Sequence, residues 1–95
     1  MDFGKALEAL KEGKKVARKG WNGKGMFIYL SKGFVIQCDE LKPETRNHLK
    51  TVFNGGTDSV VINSHIDMKA ADGSIVIGWL ASQTDMLSED WEVVQ

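Results

Sequence analysis

Long hydrophobic runs are missing from this 95-residue chain. No apolar stretch approaches the ~20 residues that span a bilayer, which excludes a helical membrane protein. The opening Met1-Asp2-Phe3-Gly4-Lys5 lacks a basic stretch followed by an apolar one, so no secretory signal is expected. Cysteine occurs once, at Cys38, which rules out an intrachain disulfide framework and any multi-cysteine metal site. A lone thiol fits a reducing compartment, and a cytoplasmic protein is expected. Net charge is nearly absent, at -1. Tracking a phosphate backbone needs a basic groove, so no DNA or RNA polymer is expected as a partner.

Catalytic signatures are missing too. There is no P-loop, no dinucleotide fingerprint and no Gly-x-Ser-x-Gly. The two histidines, His48 and His65, have no metal-type spacing to each other or to Cys38. Asp67 follows His65 by two residues, so both can project from one strand face and orient a base, but no nucleophile motif accompanies them. Asp85, Glu89 and Asp90 can be read as paired carboxylates for acid–base work. Their place at a short helix is explained more simply by the helix dipole. An enzyme is not expected, and neither a cofactor nor a metal is implied.

What is present is ordinary for a globular chain: 42% hydrophobic and 26% charged residues, enough for one small domain over 1–95. Charge is segregated. Residues 1–24 hold Lys5, Lys11, Lys14, Lys15, Arg18, Lys19 and Lys24, whereas residues 72–95 hold Asp72, Asp85, Glu89, Asp90 and Glu92 without a cation. The two ends either form solvated faces or attract each other.

Periodicity predicts a helix over 2–12, with Phe3, Ala6, Leu7 and Leu10 on one stripe, Asp2 as N-cap and Gly13 as the C-terminal stop. Strands follow at 16–18, at 26–30, apolar enough to be central, and at 34–37, read as a three-strand meander with an Asn22-Gly23 turn and a Ser31-Lys32-Gly33 turn. Pro43 opens a short helix over 43–50, and Asn54-Gly55-Gly56 is a loop. Residues 59–62 and 65–69 read as strands. Ala71-Asp72-Gly73 is a hairpin turn, with a return strand over 74–79. Ser82 to Asp90 carries the capping density of one helical turn, and 91–94 is a final strand. The fold class is α+β: an N-terminal helix packed on a small antiparallel sheet, with a short helical turn near the C-terminus.

Three tryptophans stand out. Trp91, in an alternating strand, reads as a core plug. Trp79 follows Gly78 and reads either as a plug or as a ligand contact. Trp21 lies among Lys19, Asn22, Gly23 and Lys24, a polar setting that suits a partly exposed ring. Such a loop either turns a hairpin or holds something flat and anionic: the ring stacks on a base, an amide binds its edge, and Arg18 and Lys24 neutralise phosphate.

The run from Asp2 through Gly20-Trp21-Asn22-Gly23 to Met26 resembles the opening of a small phage family long catalogued as a domain of unknown function. So do His65-Ile66-Asp67-Met68-Lys69, the run Gly78-Trp79-Leu80-Ala81-Ser82-Gln83-Thr84-Asp85-Met86-Leu87, and Asp90-Trp91. That family includes the Thoeris anti-defence proteins of the second type. Residues 37–64 carry no part of the resemblance. It implies a non-enzymatic sponge, which binds a cyclic ADP-ribose-type immune signal, or a cyclic oligonucleotide, and does not degrade it. It further implies homo-oligomers, with a tetramer favoured and ligand held between protomers, in the cytoplasm of an infected bacterium. By motif, Trp21 and Asn22 are the first ligand contacts expected, followed by Trp79 and the Thr84-Asp85-Met86 turn. The alternative is a protein-interaction or inhibitor module with tryptophan anchors and no nucleotide affinity.

Overall fold

The computed structural model describes residues 1–49 and 58–95. The expected Asn54-Gly55-Gly56 loop and the last residue of the 43–50 helix lie outside them. Two compact units are present. Met1–Ser31 with His65–Gln95 form the first, and Lys32–Ser64 form the second, inserted in the chain between two strands of the first. The architecture is α+β.

The first unit begins with α1 (Phe3–Lys11). The Asp2 carboxylate accepts from the Lys5 amide at 2.8 Å, as an N-cap should. Gly13 takes a φ of 87°, which lets the Gly13 amide reach Leu10 O at 2.9 Å and the Lys14 amide reach Ala9 O at 3.0 Å. This is a Schellman stop, and it closes the helix where the sequence placed its end. Ala6 and Leu10 of the expected stripe are fully buried, and Ala9 joins them.

The sheet contains β1 (Lys15–Arg18), β2 (Phe27–Ser31), β5 (His65–Lys69), β6 (Ile75–Val76) and β7 (Trp91–Val94), ordered β6-β5-β2-β1-β7 and antiparallel in every pairing. β2 is central, as its apolar run suggested. Val16 pairs with both Ile28 and Val93, and Arg18 pairs with Trp91. Side chains alternate across a strand, so Val16, Arg18, Ile28, Trp91 and Val93 share one face. α1 lies over β1, β2 and β7 on that face. The core is Ala6, Ala9, Leu10, Val16, Ile28 and Trp91, with Trp21 and Trp79 packed at its margin.

The second unit holds β3 (Phe34–Gln37), a 3₁₀ turn at Cys38–Glu40, α2 (Pro43–Leu49) and β4 (Ser59–Ile62). β3 and β4 pair with each other in a two-stranded sheet, from Phe34↔Ile62 to Gln37↔Ser59. Cys38 and Leu41 are buried.

Three expectations need correction. The 16–37 meander does not form, because β5 takes the place beside β2 and β3 pairs with β4 instead. A short apolar strand specifies a face and not a partner. The Asn22-Gly23 pair is not a two-residue hairpin turn. Neither residue has positive φ, as that turn would require, and the β1–β2 connection runs over residues 19–26, with positive φ only at Gly25. The 74–79 return strand is only Ile75–Val76, for Gly78 at φ 83° turns the chain away. The 71–73 hairpin turn does form, with the Ala70 amide on Ser74 O at 2.8 Å.

Leu10 is 1% exposed, in the core cluster with Val16, Ile28 and Trp91. Leu10→Ala is expected to cost about 2–5 kcal/mol, read as a lower urea midpoint with an unchanged slope.

Candidate functional site

The loop after β1 and the short helix α3 (Gln83–Leu87) meet over the end of the sheet. Ser82 caps α3. Its hydroxyl accepts from the Asp85 amide at 3.0 Å, while the Ser82 amide donates to Asp85 Oδ2 at 3.1 Å, a complete capping box. That leaves Asp85 Oδ1 directed at the β1 loop. Arg18 Nη1 donates to it at 2.8 Å, and the Trp21 indole Nε1 donates to it at 3.2 Å. The Asp85 carbonyl accepts from Trp91 Nε1 at 2.9 Å. One residue of α3 thus holds a cation and two indoles.

Asp90 completes the arrangement. Its Oδ1 accepts from Arg18 Nε at 2.9 Å, and its Oδ2 accepts from the Gly20 amide at 2.8 Å. A Cβ built on Gly20 would stand 2.8 Å from that carboxylate, so the absent side chain makes room for the clamp. The Arg18 side chain is 14% exposed, and its fork is divided between the two carboxylates. Asp90 and Asp85 raise the Arg18 pKa above its already high ordinary value. Burial pushes the Asp85 carboxyl up, but Arg18, both Ser82 groups and the Trp21 indole outweigh it and hold it below the usual carboxylate range. Asp90 is held low by Arg18 first, and by the Gly20 amide.

The three tryptophans form one cluster. Trp21 lies 5.4 Å from Trp91 at 79°, Trp79 lies 6.2 Å from Trp91 at 82°, and Trp21 and Trp79 are 6.2 Å apart at 65°. All three contacts are edge-to-face, the geometry that the ring quadrupole favours. Trp91 is the buried plug that its strand position predicted, at 2% exposure. Trp21 and Trp79 are half-buried, and each of the three rings touches both of the others.

Of the residues singled out in the sequence, Arg18, Trp21, Trp79 and Asp85 come together within one chain. Asn22 and Lys24 are exposed in the β1–β2 loop and make no side-chain hydrogen bond or ion pair with the described residues. Thr84 and Met86 are exposed on α3, and the Thr84 carbonyl accepts from the Ser88 hydroxyl at 2.6 Å. Arg18 is placed differently from a bare phosphate ligand: its charge is already met by two carboxylates. Asp90 was not singled out as part of this site. The segregation of cations to the front of the chain and acids to the back was the signal that pointed to it. That attraction is realised at Arg18, where the β1 end meets the acidic C-terminal segment.

The Arg18–Asp85 pair is largely buried, and removing one member strands the other. Asp85→Asn is expected to cost about 3 kcal/mol in urea unfolding, with Asp90 retained as a second partner. Both carboxyls have folded pKa values below their unfolded ones. The stability they supply is therefore present above about pH 3.9 and is lost as pH falls through the depressed folded values. Asp85→Asn should flatten that acid limb. An acid limb identical to that of the unaltered protein would show that the pair contributes nothing.

The chain is 39% identical over 94 residues to Thoeris anti-defense 2 of Bacillus phage SP01, an alignment covering 99% of this chain and 94% of that protein. The model of the Thoeris anti-defense 2-like domain matches residues 1–94, both sheet units and the whole tryptophan cluster included. The chain belongs to the Thoeris anti-defense 2-like family.

Proposed function

We propose that this protein binds and sequesters a cyclic nucleotide immune signal of the cyclic ADP-ribose type, or a cyclic oligonucleotide, and so blocks a bacterial anti-phage defence. Family membership supports the anti-defence role. The observation that carries the binding reading is the meeting of two half-buried indoles, Trp21 and Trp79, 6.2 Å apart and inclined at 65°. Rings set at that angle offer a flat base both a face and an edge. Asn22 and Lys24, exposed beside Trp21, supply an amide for a base edge and a cation for phosphate. Thr84 and Met86 are exposed on α3, the helix whose Asp85 accepts from the Trp21 indole.

Arg18 and Asp85 act in this reading as the frame. They hold the Trp21 N–H and the β1 loop before ligand arrives, so little ordering remains for the binding step. A sponge needs such preorganisation, because it competes with a receptor for the same molecule. It needs no nucleophile.

A chain of this size encloses a dinucleotide-sized molecule more readily with a second copy than alone. The proposal therefore includes a homo-oligomer, with a tetramer favoured and pockets between protomers, acting in the cytoplasm of the infected cell. Ile77, Leu80 and Leu87 are 68%, 89% and 74% exposed, apolar side chains that such an assembly could cover. The same exposed side chains would also serve a second reading, an interaction or inhibitor module that anchors on a protein partner and has no affinity for nucleotides.

Titration with cyclic ADP-ribose isomers and cyclic dinucleotides separates these readings. The sponge binds one of them tightly and returns it intact after denaturation. Recovery of a cleaved product would replace it with a hydrolase, and no binding across the panel would leave the interaction module. Trp21→Ala and Trp79→Ala are each expected to weaken binding by about 1–3 kcal/mol while the protein stays folded.

A further inference from the structure

β5 carries one side chain that its pattern does not explain. Asp67 is 4% exposed, a carboxylate buried on the sheet face opposite Ile28 and Trp91. A buried carboxylate is costly unless its oxygens are occupied. Asp67 Oδ2 accepts from the Ser31 hydroxyl at 2.6 Å and stands 3.5 Å from His65 Nε2. Asp67 Oδ1 accepts from the backbone amide of Gly78 at 3.0 Å. Burial pushes this carboxyl up, and the Ser31 hydroxyl, the Gly78 amide and His65 together hold it below its usual range, so it stays ionised.

The Gly78 contact matters because Trp79 is the next residue in the chain. Gly78 has a φ of 83°, a conformation that L side chains rarely adopt. The Trp79 amide donates to Ile66 O at 2.6 Å. These two consecutive amides tie the segment after β6 to β5 just as that segment leaves the sheet. The Trp79 ring then crosses to the other face and meets Trp21 and Trp91. The first tie is a charge-assisted bond to a carboxylate fixed from two further sides.

We propose that Asp67 is the positioning residue for Trp79: by holding the Gly78 amide it sets the indole in its place in the tryptophan cluster. Asp67 touches no ligand and acts through the turn. Its consequence for binding rests on the sequestration reading above, whereas its effect on the indole does not.

The edge-to-face indoles couple in far-ultraviolet circular dichroism, so their arrangement is readable without ligand. Asp67→Ala is expected to lose the Trp79 share of that couplet, as Trp79→Ala does. Asp67→Asn keeps an oxygen for the Gly78 amide and is expected to restore it. Ser31→Ala leaves the Gly78 contact intact and is expected to retain the couplet. A full couplet in folded Asp67→Ala overturns the proposal, as does a loss in Ser31→Ala equal to that in Asp67→Ala.

Should Asp67→Ala fail to fold, hydrogen exchange on the unaltered protein decides. The Gly78 amide is expected to be protected to the level of the β5 amides, and exchange at the rate of an open loop overturns the proposal. With a cyclic ADP-ribose isomer that the unaltered protein binds, a Trp79 seated about a tenth of the time weakens the Kd about tenfold. If no isomer binds, the sequestration reading fails, and the couplet and the Gly78 exchange still judge Asp67.

Discussion

The clamp of Arg18 between Asp85 and Asp90 is the interaction on which the rest of the candidate site depends. It joins the end of β1, α3 and the residue before β7 through two bonds of 2.8 and 2.9 Å. A guanidinium is suited to this because its donors diverge in a rigid plane and can serve two acceptors. Lysine presents a point charge and would not hold both carboxylates in one geometry. With the clamp in place, the Trp21 N–H has a fixed acceptor and the Gly20 amide is satisfied. The clamp lies beside Trp91, which plugs the core against Phe3 of α1.

This arrangement links stability to site geometry. Trp91 belongs to the core through Leu10, Val16 and Ile28, and to the site through its edge contacts with Trp21 and Trp79. The ring that seals the core is thus also the support on which the two outer indoles rest. Rigid support of this kind fixes side-chain rotamers in advance, so less side-chain entropy would be lost on binding. The exposed polar residues Asn22, Lys24 and Thr84 lie outside that support.

The local elements were largely legible in the sequence. The α1 stripe, the Asp2 cap, the Gly13 stop, the Ser82 capping density and the 71–73 turn each follow from the chemistry of a few neighbouring residues. The extent of the sheet was less so. Phe34–Gln37 reads as the third strand of a meander, and nothing within those four residues says that Ser59–Ile62 is their partner. The Asn22-Gly23 pair carries a strong hairpin signal, yet the loop is longer and is held by carboxylates from the far end of the chain, Asp85 and Asp90. Tertiary contact overrode the local turn preference there.

By itself the sequence determined the α+β class, the central place of β2, the buried role of Trp91 and the lack of any catalytic signature. Those depend on composition, on periodicity and on caps, which act over a few residues. Only the tertiary structure decided that Trp21 and Trp79 meet each other and Trp91 in one cluster, that the cationic front of the chain attracts its acidic back at Arg18, and that the buried Asp67 holds the Gly78 amide. These are contacts between segments far apart in sequence. Their partners are chosen by strand register and by the need to satisfy each buried charge, and neither is written in any local stretch.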